Sequence, residues 1–135
     1  GEIMDEIPEE TEYIACACGT GATISGISQR LLSHQQAIGI SVLKVKGYFE
    51  KEIERLGGDL NRIVLNYNYH CGGYAKKNKL LLDFCDDFIS ETNIPVEPVY
   101  TGKLFYAIDD MIRKDYFKTG AKVTLIHTGG LFNFN

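Results

Sequence analysis

A chain of 135 residues is long enough for one domain with its own core, and its formal net charge of −4 points to neither a nucleic-acid nor an acidic-membrane partner. No stretch approaches the roughly 20 apolar residues that cross a bilayer. Gly1-Glu2-Ile3 is not read as a signal peptide, because no basic, apolar, small-residue pattern follows it.

Residues 1–11 are acidic and poor in apolar side chains, and are read as a lead-in to a domain over 12–135. Residues 13–18 (YIACAC) form a short apolar run ended by Gly19, as suits a strand buried on both faces. Ile24, Ile27, Leu31 and Leu32 recur at near-helical spacing and predict a helix over 22–32. Residues 37–45, rich in Ile and Val, predict a second strand. The helical period of 47–56 stops at Gly57-Gly58.

Residues 62–69 (RIVLNYNY) predict a third strand, followed by a loop over 70–74. An amphipathic helix is predicted over 77–89, with Leu81, Phe84, Cys85 and Phe88 on one face. Pro95 and Pro98 make 94–101 a loop. Phe105, Ile108, Asp109, Ile112 and Tyr116 predict a helix over 104–116. Residues 122–127 (KVTLIH) predict a fourth strand, closed by Thr128-Gly129-Gly130. Alternating strands and helices imply a three-layer α/β/α fold around a mostly parallel sheet of about four strands, in the order 3-2-1-4.

Cys16, Cys18, Cys71 and Cys85 are expected to be buried free thiols of a reducing cytoplasm. Cys16 and Cys18 are expected on opposite faces of their strand, which speaks against a shared metal. His34 and His70 have no partner at ligand spacing, so no metal site is assigned.

Four segments are candidates for the site, three of them at the carboxyl ends of strands, where an open parallel sheet binds its ligand, and one ahead of a helix. Thr20-Gly21-Ala22-Thr23 joins a strand to a helix. Glycine there admits an anion, and a helix start offers free N–H groups. Neither a GxGxxG pattern nor a Walker lysine is present. The others are residues 70–74, 98–103 and 126–130. Three of the four are expected to face one crevice, hydroxyl-rich with two tyrosines and few charges, suited to an uncharged aromatic ligand bearing one phosphate. On packing alone, Tyr74 and Tyr100 also suit hydrogen-bonded packing aromatics, Thr101 a helix cap, and His127 a structural histidine.

Residues 19–26, Gly73-Tyr74, 98–103 (PVYTGK) and 127–130 (HTGG) together resemble the fold-type II pyridoxal-phosphate (PLP) family of D-cysteine desulfhydrase and 1-aminocyclopropane-1-carboxylate deaminase. The resemblance runs from about Tyr13 to Gly130 and corresponds to the carboxy-terminal half of such an enzyme. It implies pyridoxal 5'-phosphate as cofactor, a small amino acid as substrate, and release of ammonia and an oxo acid. It places Thr20, Gly21, Ala22 and Thr23 at the cofactor phosphate, Ala22 replacing the commoner Gly or Ser. Tyr100 and Tyr74 match active-site tyrosines, and Thr128 a residue lining the same pocket.

Thr101 falls where the deaminase branch has a glutamate facing the pyridine nitrogen and the desulfhydrase branch a threonine. A neutral group there makes a weaker electron sink, which favours β-elimination over opening a cyclopropane. The family's Schiff-base lysine and ring-contacting asparagine belong to the first half, ahead of this sequence. Lys103, expected to be exposed, lacks the depressed pKa needed to replace that lysine. The chain alone is therefore expected to be inert. Its partner would be the missing amino-terminal half, with self-association through the uncovered apolar face. The rival is a non-catalytic phosphate-ligand or protein-binding module on the same fold.

Overall fold

The computed structural model describes residues 4, 6–127 and 130–134, the last group by backbone alone. At its centre lies β1 (Tyr13–Cys18), an apolar run with four fully buried residues. The chain continues through α1 (Ala22–Ser28), β2 (Gln36–Ser41) and α2 (Tyr48–Arg55). A 3-10 turn (Leu60–Arg62) leads into β3 (Ile63–Asn66). Two helices follow, α3 (Lys79–Thr92) and α4 (Thr101–Arg113), then β4 (Val123–His127) and β5 (Gly130–Phe134).

The sheet order is β3-β2-β1-β4-β5. Its first four strands are parallel, in the arrangement the sequence implies. β5 pairs antiparallel with β4, Gly130 opposite His127 and Phe134 opposite Val123. No strand was predicted there. Only two residues separate the runs, one of them glycine, which is hairpin spacing.

Period-two alternation divides the core into two layers. Ile14, Cys16, Cys18 and Ala37 face α1 and α2, meeting Ile24, Ile27, Phe49 and Ile53. Ala15, Ile38, Ile40 and Leu125 face α3 and α4, meeting Leu81, Leu104, Phe105 and Ile108. Cys16 and Cys18 thus share a face, contrary to the expectation of divergence, because residues i and i+2 of a strand point the same way. The Cys16 thiol is pushed well above its ordinary pKa, first by its hydrogen bond with Cys18 and then by burial. All four cysteines are free.

Helix ends follow local hydrogen bonding. α1 stops four residues short of its predicted end. The Ser25 and Ser28 hydroxyls bond back to the carbonyls of Gly21 (2.6 Å) and Ser25 (2.7 Å), and Ser28 Oγ also accepts from the amide of Asp59 at 3.0 Å. Serines used this way compete with the helical ladder. α3 starts where Asn78 Oδ1 accepts from Leu81 N (2.8 Å) and ends at Asn93, left-handed at φ 58°. Ahead of β1, Ile7 is buried and Thr11 hydrogen-bonds Thr124 hydroxyl to hydroxyl at 2.9 Å. No helix among the described residues is long and apolar enough to cross a membrane.

Candidate active site

The site forms where three loops meet, beyond β1, beyond β3 and at the start of α4. The loop after β1 carries Gly19 through Thr23. Thr20, Ala22 and Thr23 are exposed, while Gly21 is buried. Gly21 stands at the N-cap of α1 with no side chain to cap the first turn. The nearest substitute is Thr20 Oγ1, which accepts from Ala22 N at a long 3.4 Å. First-turn amides left this way suit an anion. A β-carbon at Gly21 would stand 3.1 Å from Glu52 Cβ, a tight fit that favours glycine there.

The Tyr100 ring covers this loop. A β-carbon at Gly19 would lie 2.8 Å from Tyr100 Cε1, so only glycine lets the ring settle against the backbone. Tyr100 Oη donates to Tyr74 Oη at 3.2 Å, with the ring centroids 5.9 Å apart and edge to face. The Tyr100 hydroxyl is raised above its ordinary pKa, first by that bond. Both rings stay open to solvent, 53% exposed for Tyr74 and 37% for Tyr100.

Glu97 was not singled out from the sequence, yet it builds the start of α4. Its carboxylate accepts from the amides of Val99 (2.6 Å), Tyr100 (3.0 Å) and Thr101 (2.8 Å). It also accepts from the Thr101 hydroxyl at 3.1 Å, and that hydroxyl accepts in turn from Glu97 N. This reciprocal arrangement is a capping box in function, and it starts α4 three residues earlier than predicted. Partial desolvation acts to raise the Glu97 carboxyl, but the bonds from Thr101, Val99 and Tyr100 outweigh it and hold the carboxyl below its ordinary value. The available signal was a glutamate placed just ahead of a threonine at a helix start. Thr101 is buried, its hydroxyl committed to Glu97 in both directions.

Lys103 is buried, not exposed as expected. Its side chain is 0% exposed and its Nζ donates to the Gly73 carbonyl at 2.9 Å. Burial lowers its pKa, against smaller opposing effects of Cys71 and Glu97. The expectation failed because the helix face carrying Lys103 turns inward beneath the 70–74 loop, a contact across 30 residues that local charge pattern does not report.

Beneath the site, Tyr69 Oη donates to Asp110 Oδ2 at 2.7 Å and Tyr67 Oη to Glu50 Oε1 at 2.5 Å. Burial, then the Glu50 carboxylate, push the Tyr67 hydroxyl up to about 12. These bonds fasten the end of β3 to α4 and α2. His127 Nε2 lies 2.6 Å from the Pro95 carbonyl, with its ring edge-on to Phe105, so it packs the approach to α4. β4 pairs in parallel with β1, but Thr128 itself lies outside the described residues. Among the described residues, no three His, Cys, Asp or Glu side chains cluster to hold a metal.

No protein-family model matches the chain. Individual proteins do. The Arabidopsis thaliana bifunctional D-cysteine desulfhydrase/1-aminocyclopropane-1-carboxylate deaminase, mitochondrial, is 34% identical over 96% of this chain and 37% of its own length. A Pyrococcus horikoshii protein provisionally named a 1-aminocyclopropane-1-carboxylate deaminase is 30% identical over 97% of this chain and 43% of its own. The crystal structure of an ACC deaminase homologue matches with a TM-score of 0.79 and 28% identity, over 95% of this chain and 42% of that one. The chain thus spans less than half the length of the relatives it matches. With sequence and fold corresponding over nearly all its residues, the chain belongs to the D-cysteine desulfhydrase and 1-aminocyclopropane-1-carboxylate deaminase family, as a match to the carboxy-terminal half.

Proposed function

We propose that this chain is the carboxy-terminal part of a PLP-dependent enzyme that acts on a small amino acid by β-elimination, the β-substituent leaving first and ammonia and an oxo acid then being released by hydrolysis. The observation that carries the proposal is the meeting of Gly19, Tyr100 and Tyr74, which sets two open hydroxyls over an uncapped helix start. Those residues suit the cofactor. Thr20, Gly21, Ala22 and Thr23 would hold its phosphate through amides and hydroxyls. When bound, the cofactor supplies the electron sink that makes the substrate's α-proton acidic.

The chain's own residues do the remaining work. Tyr100 donates its hydrogen bond to Tyr74, so the proton of the Tyr74 hydroxyl is free to go to a departing group. The Tyr100 ring positions the substrate and excludes water from the side facing Gly19. Thr101 brings no charge to the pyridine nitrogen, and its hydroxyl is already shared with Glu97. That supports elimination of a good leaving group, as in a desulfhydrase, over opening of a strained carbocycle.

The cofactor-binding lysine is assigned to the part of the protein that matches the relatives' first half, and that part is the natural partner of this chain. Residues 1–11 serve as the lead-in, and the four free cysteines suit a reducing, cytoplasmic setting. Self-association would use the apolar side chains left open on α3, Leu80, Leu82 and Ile89.

The test mixes the purified chain with PLP and D-cysteine, with and without the upstream part, and follows sulfide and pyruvate. The expected result is no turnover above free PLP from the chain alone and turnover on adding the upstream part. Turnover by the chain alone would overturn the assignment of the lysine. A reconstituted protein that binds PLP without turning over any amino acid would leave the binding-module reading in its place.

A further inference from the structure

Lys103 is a buried cation that the proposed chemistry does not use. An ammonium withdrawn from water is costly unless its protons find acceptors. Its hydrogen bond among the described residues goes to the Gly73 carbonyl, 2.9 Å away. Gly73 sits in an unusual turn. Backbone φ is positive at Cys71 (57°), Gly72 (104°), Gly73 (129°) and Ala75 (57°). The two non-glycine residues occupy a region that L side chains avoid, so the turn keeps its shape only where its surroundings enforce it. Within the loop, Gly73 N donates to the His70 carbonyl (3.2 Å) and Gly72 N to His70 Nδ1 (3.0 Å). Those bonds, with the one from Lys76 N to the Gly73 carbonyl (3.0 Å), shape the turn from within, and Cys71 packs it against the core. The Lys103 bond ties the Gly73 carbonyl itself to α4.

We propose that Lys103 is a positioning residue, reaching from the first turn of α4 to the Gly73 carbonyl so that the next residue, Tyr74, stays within hydrogen-bond reach of Tyr100. Glu97 performs the matching task for the other tyrosine by holding the Tyr100 amide. Both halves of the pair are thereby fixed at the start of α4, by Glu97 just ahead of it and by Lys103 in its first turn. The groups that face Lys103 are Cys71 and Glu97, which favour its charged form. His70, lowered first by its own burial, also feels Lys103 and Lys44. This inference takes the tyrosine pair from the proposed function, but its test reads the pair directly, so either can fail without the other.

The experiment titrates Tyr100 in the 135-residue chain by NMR of ring-labelled tyrosine, assigned with Tyr100→Phe. It compares the unaltered chain, Tyr74→Phe, Lys103→Met and the double variant. Losing the Tyr74 partner lowers the Tyr100 pKa, since that hydrogen bond is the first cause of its elevation. Lys103→Met is expected to give the same downward shift, with no further shift in the double variant. Removing a nearby positive charge would by itself raise a tyrosine pKa, so the sign separates positioning from simple charge. A folded Lys103→Met chain whose Tyr100 titrates unchanged, or at higher pH, overturns the proposal. Should Lys103→Met not fold, scalar coupling across the hydrogen bond from Lys103 Nζ to the Gly73 carbonyl carbon is sought in the unaltered chain. Its detection, with a Tyr74 ring signal fixed relative to Tyr100, supports the proposal. An ordered ammonium without that coupling overturns it.

Discussion

The ring of Tyr100 rests on the backbone of Gly19, close enough that any side chain at 19 must push it away. Gly19→Ala is therefore expected to fold but to displace Tyr100 from Tyr74. In the reconstituted enzyme kcat/KM should fall about 100-fold, the usual result of moving a working group by about 1 Å. The cost in stability should stay near 1–3 kcal/mol, as for other forced overpacking. Steady-state kinetics beside a thermal melt would separate the two effects; a mutant with unchanged kinetics would contradict the assigned contact.

Gly102 tests the packing under the same turn. A β-carbon there would lie 2.5 Å from the Glu97 carbonyl oxygen and 2.6 Å from Cys85 Sγ. Helix propensity alone would favour Gly102→Ala by about 1 kcal/mol. The clash involves backbone, which cannot swing aside, and overpacking of this kind costs about 1–3 kcal/mol. The clash should win. Denaturant unfolding is expected to show a net loss of stability, and a gain would show that the turn is looser than described.

Glu97 gives the start of α4 a pH dependence. Its folded pKa lies below the ordinary carboxyl value of 4.5. The folded state therefore binds the proton less readily than the unfolded chain, and ionised Glu97 adds stability above pH 4.5. That contribution fades as pH falls from 4.5 through the depressed folded value. Glu97→Gln should flatten the acid limb of a stability-against-pH curve. Glu97→Ala should cost about 1–2 kcal/mol at neutral pH, the range for a lost helix cap. Urea melts at several pH values would show both; parallel acid limbs for the wild type and Glu97→Gln would refute the account.

Thiol reactivity should rank by burial. Cys16, Cys18 and Cys85 are buried, Cys71 only half-buried. Burial, and for Cys16 first the bond with Cys18, raises the pKa of Cys16, Cys71 and Cys85, so none is an activated nucleophile. A disulfide reagent at neutral pH is expected to modify Cys71 slowly and the others only on unfolding. Mass spectrometry of the labelled peptides would read the order, and early labelling of Cys16 or Cys18 would contradict the two-layer core.

The sheet was legible because its determinants are local and repetitive. Apolar strands alternating with amphipathic helices leave few right-handed arrangements, and 3-2-1-4 is among them. The Cys16–Cys18 error was one of phase, not of information, since the alternation of YIACAC already puts both on one face with Ile14. The early end of α1 was harder to see, because Ser28 serves a backbone amide at Asp59, distant in sequence. The tyrosine loops could be named from motif, and Lys103 with them, but not the burial of Lys103 or the part played by Glu97. A charge pattern shows that a lysine exists, while its burial depends on a carbonyl 30 residues away.

The two anchors also have a mechanical consequence. Glu97 and Lys103 bracket the first turn of α4, one holding the Tyr100 backbone and the other the neighbour of Tyr74. If the helix slides along its axis, both hydroxyls travel with it, and their separation is conserved while their height over Gly19 changes. The tyrosines behave as two teeth on one jaw, with the place of α4 setting where both close.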